Sequence, residues 1–257
     1  MTEVFNRDRT ITRWLKAPIQ LRHYRATMTA IGVCPRPLDL LGRYAMTFGK
    51  YPASVALRTP IGQISLEIYS WHDARTIHEI FLAGDYRVGN SGSVIVDYGS
   101  NIGISAAYFL SRNDHCFAYL FEPVPTNVER LRKNLSQFED RYNLEEIAVG
   151  LGAGKVQFGI EETGRYGGIN RATGANIEVN CADSNQIIAD ILARHGRIDV
   201  FKVDVETMER ELIQRLTPEL ASKISLLFVE ARFEKNPLAG SHTMSVQGTV
   251  TRFQLAK

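Results

Sequence analysis

Two groups of residues in this chain have types and spacings that could do chemistry. The first is Asp97-x-Gly99-x-Asn101-x-Gly103, directly after the apolar run Val94-Ile95-Val96. Gly99 and Gly103 let a backbone turn tightly and approach a ligand closely, and an acid in front of them suits a cationic group. Glu122, in Phe121-Glu122-Pro123, follows about 20 residues later, where a nucleotide-binding βα unit places the carboxylate that accepts both ribose hydroxyls. The second group is Lys202-x-Asp204-x-Glu206, with Glu230 farther on. Buried strands rarely end in such a charge cluster without a reason, and carboxylates there could take a proton from a reacting group.

The elements that must position these groups follow from hydrophobic period and turn chemistry. Val94–Val96 reads as a buried parallel strand, and Gly103–Ser111 as a helix whose free N–H groups face the loop. Cys116–Glu122 reads as a strand and Thr126–Phe138 as a helix, with Thr126 and Glu129 as its capping box. Leu144–Val149 and Lys155–Ile160 read as further strands. Glu161–Asn180 holds four glycines and reads as a mobile lid or a solvated loop. Asp183-Ser184 caps a helix over Asn185–Arg194 that Gly196 ends. Strand Ile198–Glu206, helix Thr207–Leu216 and strand Ile224–Ala231 follow, and Met244–Leu255 forms a closing hairpin through Gly248. Ahead of all this, Val55–Tyr69 reads as a β-hairpin turning at Pro60–Gly62, and Asp73 as the cap of a helix that Gly84 ends. Strands alternating with crossover helices imply an α/β fold, a doubly wound, mostly parallel sheet with an antiparallel edge. Two parts are expected: residues 1–90, a helical and hairpin cap, and 91–257, the nucleotide-binding domain.

Composition narrows the classes. With 257 residues, 44% hydrophobic and 23% charged, the chain fits a globular protein with one good core. A net charge of +2 gives no global argument for nucleic acid. Cys34, Cys116 and Cys181 are too scattered for a disulfide framework or a zinc knuckle. The N-terminal sequence lacks the apolar core of a secretory signal, and no stretch is long and apolar enough to span a membrane; a cytoplasmic location is expected. Residues 1–50 carry nine basic and three acidic side chains. This is the charge of a solvated helical cap, or of a docking surface for an acidic carrier protein or a second copy in a homodimer.

Taken together, the pieces resemble the FkbM family of class I S-adenosylmethionine (SAM)-dependent methyltransferases. The resemblance runs from about Ile61 to Ala231 and is carried by Pro60-x-Gly62, Asp73-x-x-Thr76, Tyr86, Asp97-x-Gly99-x-Asn101-x-Gly103, Phe121-Glu122-Pro123-x-Pro125-x-Asn127, Ala148-Val149-Gly150 and Lys202-x-Asp204-x-Glu206. It implies a Rossmann-like fold, SAM as cofactor with S-adenosylhomocysteine as product, and methylation of a hydroxyl on a sugar or secondary metabolite. Asp97, Gly99, Asn101 and Gly103 would hold the methionine half and Glu122 the ribose, with Tyr86, Ser100, Pro123 and Asp204 also at the cofactor. One departure stands out: the family has a small Gly-Ala pair after the acid at Glu206, and here Thr207 and Met208 take those places.

Methyl transfer is an in-line displacement, so the protein must align donor and acceptor. A hydroxyl acceptor must also lose its proton, and Asp204, Glu206 and Glu230 are the candidate bases. Convergent carboxylates could also hold a divalent cation, though no metal is expected. Two other classes stay open. A nicotinamide-dependent oxidoreductase would need the third glycine of Gly-x-Gly-x-x-Gly, which is missing. A non-catalytic SAM-binding or assembly protein would follow if Thr207 and Met208 close the acceptor site.

Overall fold

A computed structural model describes residues 21–46, 49–160, 167–169 and 175–256. Residues 1–20 of the basic segment and most of the glycine-rich stretch lie outside the described residues. The chain divides into two compact units, one of residues 1–58 and 63–84, the other of residues 59–62 and 85–257.

The first unit contains helices α1 (Leu21–Val33) and α2 (Pro37–Met46), the hairpin strands β1 (Ala53–Thr59) and β2 (Gly62–Ile68), and helix α3 (Trp71–Ile77), which runs on as a π-helical turn at His78–Ala83. The cap of α3 is Ser70 rather than Asp73. Ser70 accepts from the Asp73 N–H, and Asp73 at the third helical position reaches back to the Ser70 N–H, a reciprocal capping box. Gly84 closes the turn in the left-handed region, φ 74°. The rings of Tyr44 and His78 stack at 3.8 Å, and the Trp71 indole N–H donates to the Tyr44 carbonyl, tying α2 to α3.

The second unit is built on a seven-stranded sheet of order β12-β13-β11-β10-β3-β4-β5. Its strands are β3 (Val94–Tyr98), β4 (Phe117–Phe121), β5 (Tyr142–Glu145), β10 (Val200–Val203), β11 (Leu226–Val229), β12 (His242–Gln247) and β13 (Val250–Leu255). From β5 to β11 every neighbouring pair is parallel, and β13 joins β11 antiparallel. The order reverses at β3, whose neighbours β4 and β10 lead to opposite edges. Loops after these strands diverge and leave a crevice at their carboxyl ends, where open α/β sheets bind ligands.

The central strands are buried at every residue, as a parallel sheet covered on both faces requires. Helix α4 (Ile104–Leu110) packs on β3 and β4. On the other face, α6 (Ser184–His195), α7 (Glu209–Arg215) and α8 (Pro218–Ala221) set Ile188, Ile191, Leu212 and Ile213 against Tyr98, Phe201, Val203 and Leu227. The Tyr98 ring meets Phe121 and Phe201 edge-on at 5.2 and 4.8 Å, locking three strands together. Helix α5 (Pro125–Asn134) starts with proline at its first position, and its N-cap, Val124, makes no side-chain cap; the expected Thr126–Glu129 box does not form.

Two expectations about strands need correction. Leu144–Val149 is not one strand. Residues 142–145 pair with β4, whereas β6 (Ala148–Gly150) pairs with β9 in a separate four-stranded sheet of order β6-β9-β7-β8. Nor is Glu161–Asn180 a loop throughout: β8 (Gly167–Ile169) and the nine-residue β9 (Ala175–Asp183) flank β7 (Gly154–Ile160). Ile177, Val179 and Cys181 alternate with polar residues in β9 and turn one face onto Phe158 and Val124. Expected helix and strand ends elsewhere shift by a few residues; Asp183 does cap α6, and Gly248 does turn the last hairpin.

Candidate active site

The sheet gathers most of the sequence-marked residues at its carboxyl edge. Asp97 lies in β3, Glu122 just beyond β4, Asp204 just beyond β10 and Glu230 just beyond β11. These are four adjacent strands, so the side chains converge although up to 133 residues separate them in the chain.

The glycine loop is set by direct backbone contacts. The Gly99 and Ser100 N–H groups both donate to the Phe121 carbonyl, each at 3.1 Å, and the Ser100 hydroxyl donates to the Asp97 carbonyl at 2.8 Å. Asp204 N–H donates to the Tyr98 carbonyl, which brings the post-β10 loop against this turn. A Cβ on Gly99 would lie 1.8 Å from the Asp204 carbonyl oxygen, and φ there is +73°. Only glycine satisfies both conditions. Asn101 also takes a left-handed φ of 48°, and its side-chain oxygen accepts the Ile102 N–H, the short-range bond that lets asparagine tolerate this region.

Asp97 is fully buried, and both oxygens are occupied. Oδ1 accepts from Lys202 Nζ at 2.9 Å and Oδ2 from the Ser105 hydroxyl at 2.6 Å. Lys202, also buried, further donates to the Gly99 carbonyl at 3.0 Å and pairs with Asp204 Oδ2 at 3.2 Å. Burial opposes its charge, but Asp97 and Asp204 outweigh that and raise its pKa, so the ammonium stays charged. Lys202 thus bridges two carboxylates from neighbouring strand ends and the loop between them. Ser105 was not singled out by sequence reading. Its only signal is a hydroxyl eight residues after Asp97, in the first turn of α4.

Glu122 is buried and turned toward the loop. Oε2 accepts the Asn101 N–H at 2.8 Å, and Oε1 accepts the Val124 N–H at 3.0 Å and the Asn127 amide at 3.2 Å. Burial pushes its carboxyl up to about 7, despite these donors and the Lys202 charge, which pull the other way. Of the four lone-pair sites of a carboxylate, one on Oε2 is left by the described residues.

At the end of β11, Tyr86 is buried and donates its hydroxyl to Glu230 Oε1 at 2.8 Å, while Glu230 itself is exposed. Burial, then the negative charges of Glu230, Asp204 and Asp97, raise the Tyr86 pKa well above its usual value, so the phenol keeps its proton and remains a donor. Asp204 and Glu206 are part-exposed. Glu209, at the start of α7, is pushed up to about 7 by burial and then by the like charges of Asp204 and Glu206. Between them Glu206 and Thr207 take consecutive left-handed conformations, φ 44° and 76°. Among the described residues no set of three or more His, Cys, Asp or Glu side chains is grouped to hold a metal, and no helix is long and apolar enough to cross a membrane. His195 contributes nothing to this edge; its Nε2 lies 2.8 Å from the Tyr119 hydroxyl.

A family model described as the methyltransferase FkbM domain matches residues 97–246. Among curated proteins none matches the chain. Similar solved structures include a methyltransferase from Geobacter sulfurreducens, 14% identical over 65% of this chain and 72% of that one, TM-score 0.38. An O-methyltransferase family protein from Burkholderia thailandensis is 12% identical over 72% and 60%, TM-score 0.40. The fibrillarin pre-rRNA processing protein of Methanococcus jannaschii is 12% identical over 80% and 90%, TM-score 0.40. These likenesses are too distant to bear on reaction or substrate. The family match spans the glycine loop, Glu122, the Lys202–Asp204–Glu206 strand end and Glu230, and by it the chain belongs to the FkbM family of methyltransferases.

Proposed function

We propose that this protein transfers the methyl group of SAM to a hydroxyl of a small acceptor, a sugar or a secondary metabolite. The observation that carries the hydroxyl reading is the Tyr86–Glu230 contact, which holds an exposed carboxylate at the strand end next to Asp204. An alcohol needs its proton removed near attack, and a fixed, solvent-facing carboxylate supplies a base.

The carboxyl edge fits the cofactor. SAM, when bound, supplies an already activated methyl group. Glu122 keeps one Oε2 lone pair for a ribose hydroxyl, and the missing Cβ of Gly99 lets the post-β10 loop close on the glycine turn. Asp97 is sealed by Lys202 and Ser105, so its part is to fix the loop. Asp204, part-exposed and linked to Asp97 through Lys202, takes the methionine ammonium in this reading. That leaves Glu230 as the first candidate for the base, with Glu206 beside it. The basic residues 1–50 suit an acidic carrier that would present the acceptor, or a second protomer.

The test is methyl transfer from radiolabelled SAM to a panel of sugar and polyketide alcohols, with matched amine and thiol acceptors. Label in an alcohol that becomes stable to mild base as an ether supports the reading. Label appearing only in amines or thiols would overturn it.

A further inference from the structure

A groove of about 370 Å³ opens at the opposite, amino edge of the same sheet, where β3, β10 and β11 begin. Its volume is within the range of small-molecule sites, ~300–1,000 Å³. Four strand steps separate its edge from the carboxyl edge along β3, about 13 Å, so it is not an extension of the site above. The apolar part of its lining is the part-exposed Val88 with Val200 and Leu226.

Around this part stand three guanidinium groups, Arg112, Arg197 and Arg252, and one carboxylate, Asp199. Asp199 is already committed. Its Oδ2 accepts the Ser93 and Val94 N–H groups at 2.7 and 3.0 Å, and its Oδ1 pairs with Arg197 at 3.1 Å. Arg112 is half-buried and lies 4.3 Å over the Tyr108 ring. Its Nε and one terminal nitrogen donate to the Tyr108 carbonyl and the Ser111 hydroxyl, both uncharged. Arg252 donates to the Gln254 amide oxygen at 2.9 Å, again a neutral partner. No carboxylate among the described residues pairs with Arg112 or Arg252. Burial pulls the Arg112 pKa down.

Two positive charges therefore remain over an apolar floor. We infer that this groove binds a phosphate monoester with an apolar or aromatic body. Its dianionic head would be taken by the unpaired N–H groups of Arg112 and Arg252, and its body would lie against Val88 and Leu226. Guanidinium forks match phosphate oxygens in pairs, and a dianion neutralises the two uncompensated charges where a monocarboxylate leaves one.

The experiment is calorimetric titration of the full chain with phenyl phosphate at pH 8, with phenylacetate as the monoanionic control. Saturable binding of phenyl phosphate is expected, about tenfold tighter than phenylacetate. It should weaken at pH 5, where the phosphate carries a single charge. Arg112→Gln and Arg252→Gln should each weaken it about tenfold or more, the scale of a lost charge-assisted hydrogen bond. Arg252 lies on the edge hairpin, so its variant keeps the test sound if Arg112→Gln loosens the end of α4. S-adenosylhomocysteine should bind equally with and without phenyl phosphate. Failure to saturate in the millimolar range, unchanged affinity in Arg252→Gln, or displacement by S-adenosylhomocysteine would each overturn the assignment.

Discussion

The Lys202 ammonium lies 2.9 Å from Asp97 Oδ1 inside the sheet, both side chains almost wholly shielded from water, and the same nitrogen reaches Asp204 at 3.2 Å. Breaking a buried pair leaves an uncompensated charge and costs about 3–5 kcal/mol. Lys202→Met should therefore lower the melting temperature by on the order of 10 °C, since Asp97 is left without its cation. Asp97→Asn with Lys202→Met should lose much less than the sum of the single losses, because neither charge is then stranded. Strict additivity of the two losses in thermal unfolding would show that the pair is not coupled.

Glu122 makes a pH prediction. Its carboxyl is raised to about 7 from an ordinary 4.5. A folded-state pKa above the unfolded one means that its contribution to apo stability is fully present below pH 4.5 and is lost as pH rises through about 7. Ligand affinity runs the other way, because a ribose hydroxyl donates best to the ionised form. At pH 6 roughly one molecule in ten is ionised if the pKa is about 7. S-adenosylhomocysteine should then bind about tenfold more weakly at pH 6 than at pH 8, and Glu122→Gln should bind weakly at both. A flat calorimetric profile in the native chain would remove Glu122 from the ribose site.

Much of this edge was legible because local rules and the fold agree. An apolar run ending in acid and glycine had one reasonable structure, and Gly99, Asn101 and Gly103 all take the left-handed φ their types favour. What sequence could not show was who pairs with whom. Asp97 read as a ligand-facing acid, but the parallel register sets Lys202 directly opposite Asp97, and that pairing is a property of strand order rather than of spacing. The second sheet was hidden differently. The alternation of Ile177, Val179 and Cys181 is a sound strand signal, but the glycines before it drew the whole stretch into one loop. The break at Glu146-Ile147 carries no glycine or proline to mark it, so β5 and β6 read as one strand.

Gly99 has no tolerated replacement. An added methyl would meet the Asp204 carbonyl oxygen at 1.8 Å, a backbone atom held by the Asp204 N–H bond to Tyr98. Gly99→Ala must therefore move the post-β10 loop. The expected result is loss of S-adenosylhomocysteine binding by about 100-fold or more, the scale of a misplacement near 1 Å, while the far-ultraviolet circular dichroism stays native. Unchanged affinity would mean that the two loops separate without consequence for the cofactor.

Thr207 stands at φ 76° where the family resemblance places glycine, next to Glu206 at 44°. A β-branched residue there is a genuine outlier, and the left-handed conformation costs an L-residue roughly 1–2 kcal/mol. Thr207→Gly should remove that strain and raise the unfolding free energy by about 0.5–1 kcal/mol after the added chain entropy of glycine. A fall in denaturant midpoint at constant m-value would show that the threonine side chain stabilises the loop by contacts that outweigh the strain.

Tyr86 has two candidate roles, the cofactor contact that the family resemblance implies and the positioning of Glu230 that its hydroxyl contact suggests. Its ring packs edge-on against Phe109 and Phe228, at 6.2 and 5.3 Å, and these contacts survive Tyr86→Phe. Only the hydroxyl donated to Glu230 is lost. If Tyr86 positions the base, turnover should fall roughly tenfold, with the KM for acceptor changed little. S-adenosylhomocysteine should bind as before. Glu230→Gln should lower turnover by about 100-fold or more and leave the cofactor equally unaffected. The opposite pattern in Tyr86→Phe, weaker S-adenosylhomocysteine with turnover intact, would make Tyr86 a cofactor contact and return the role of base to Asp204 or Glu206.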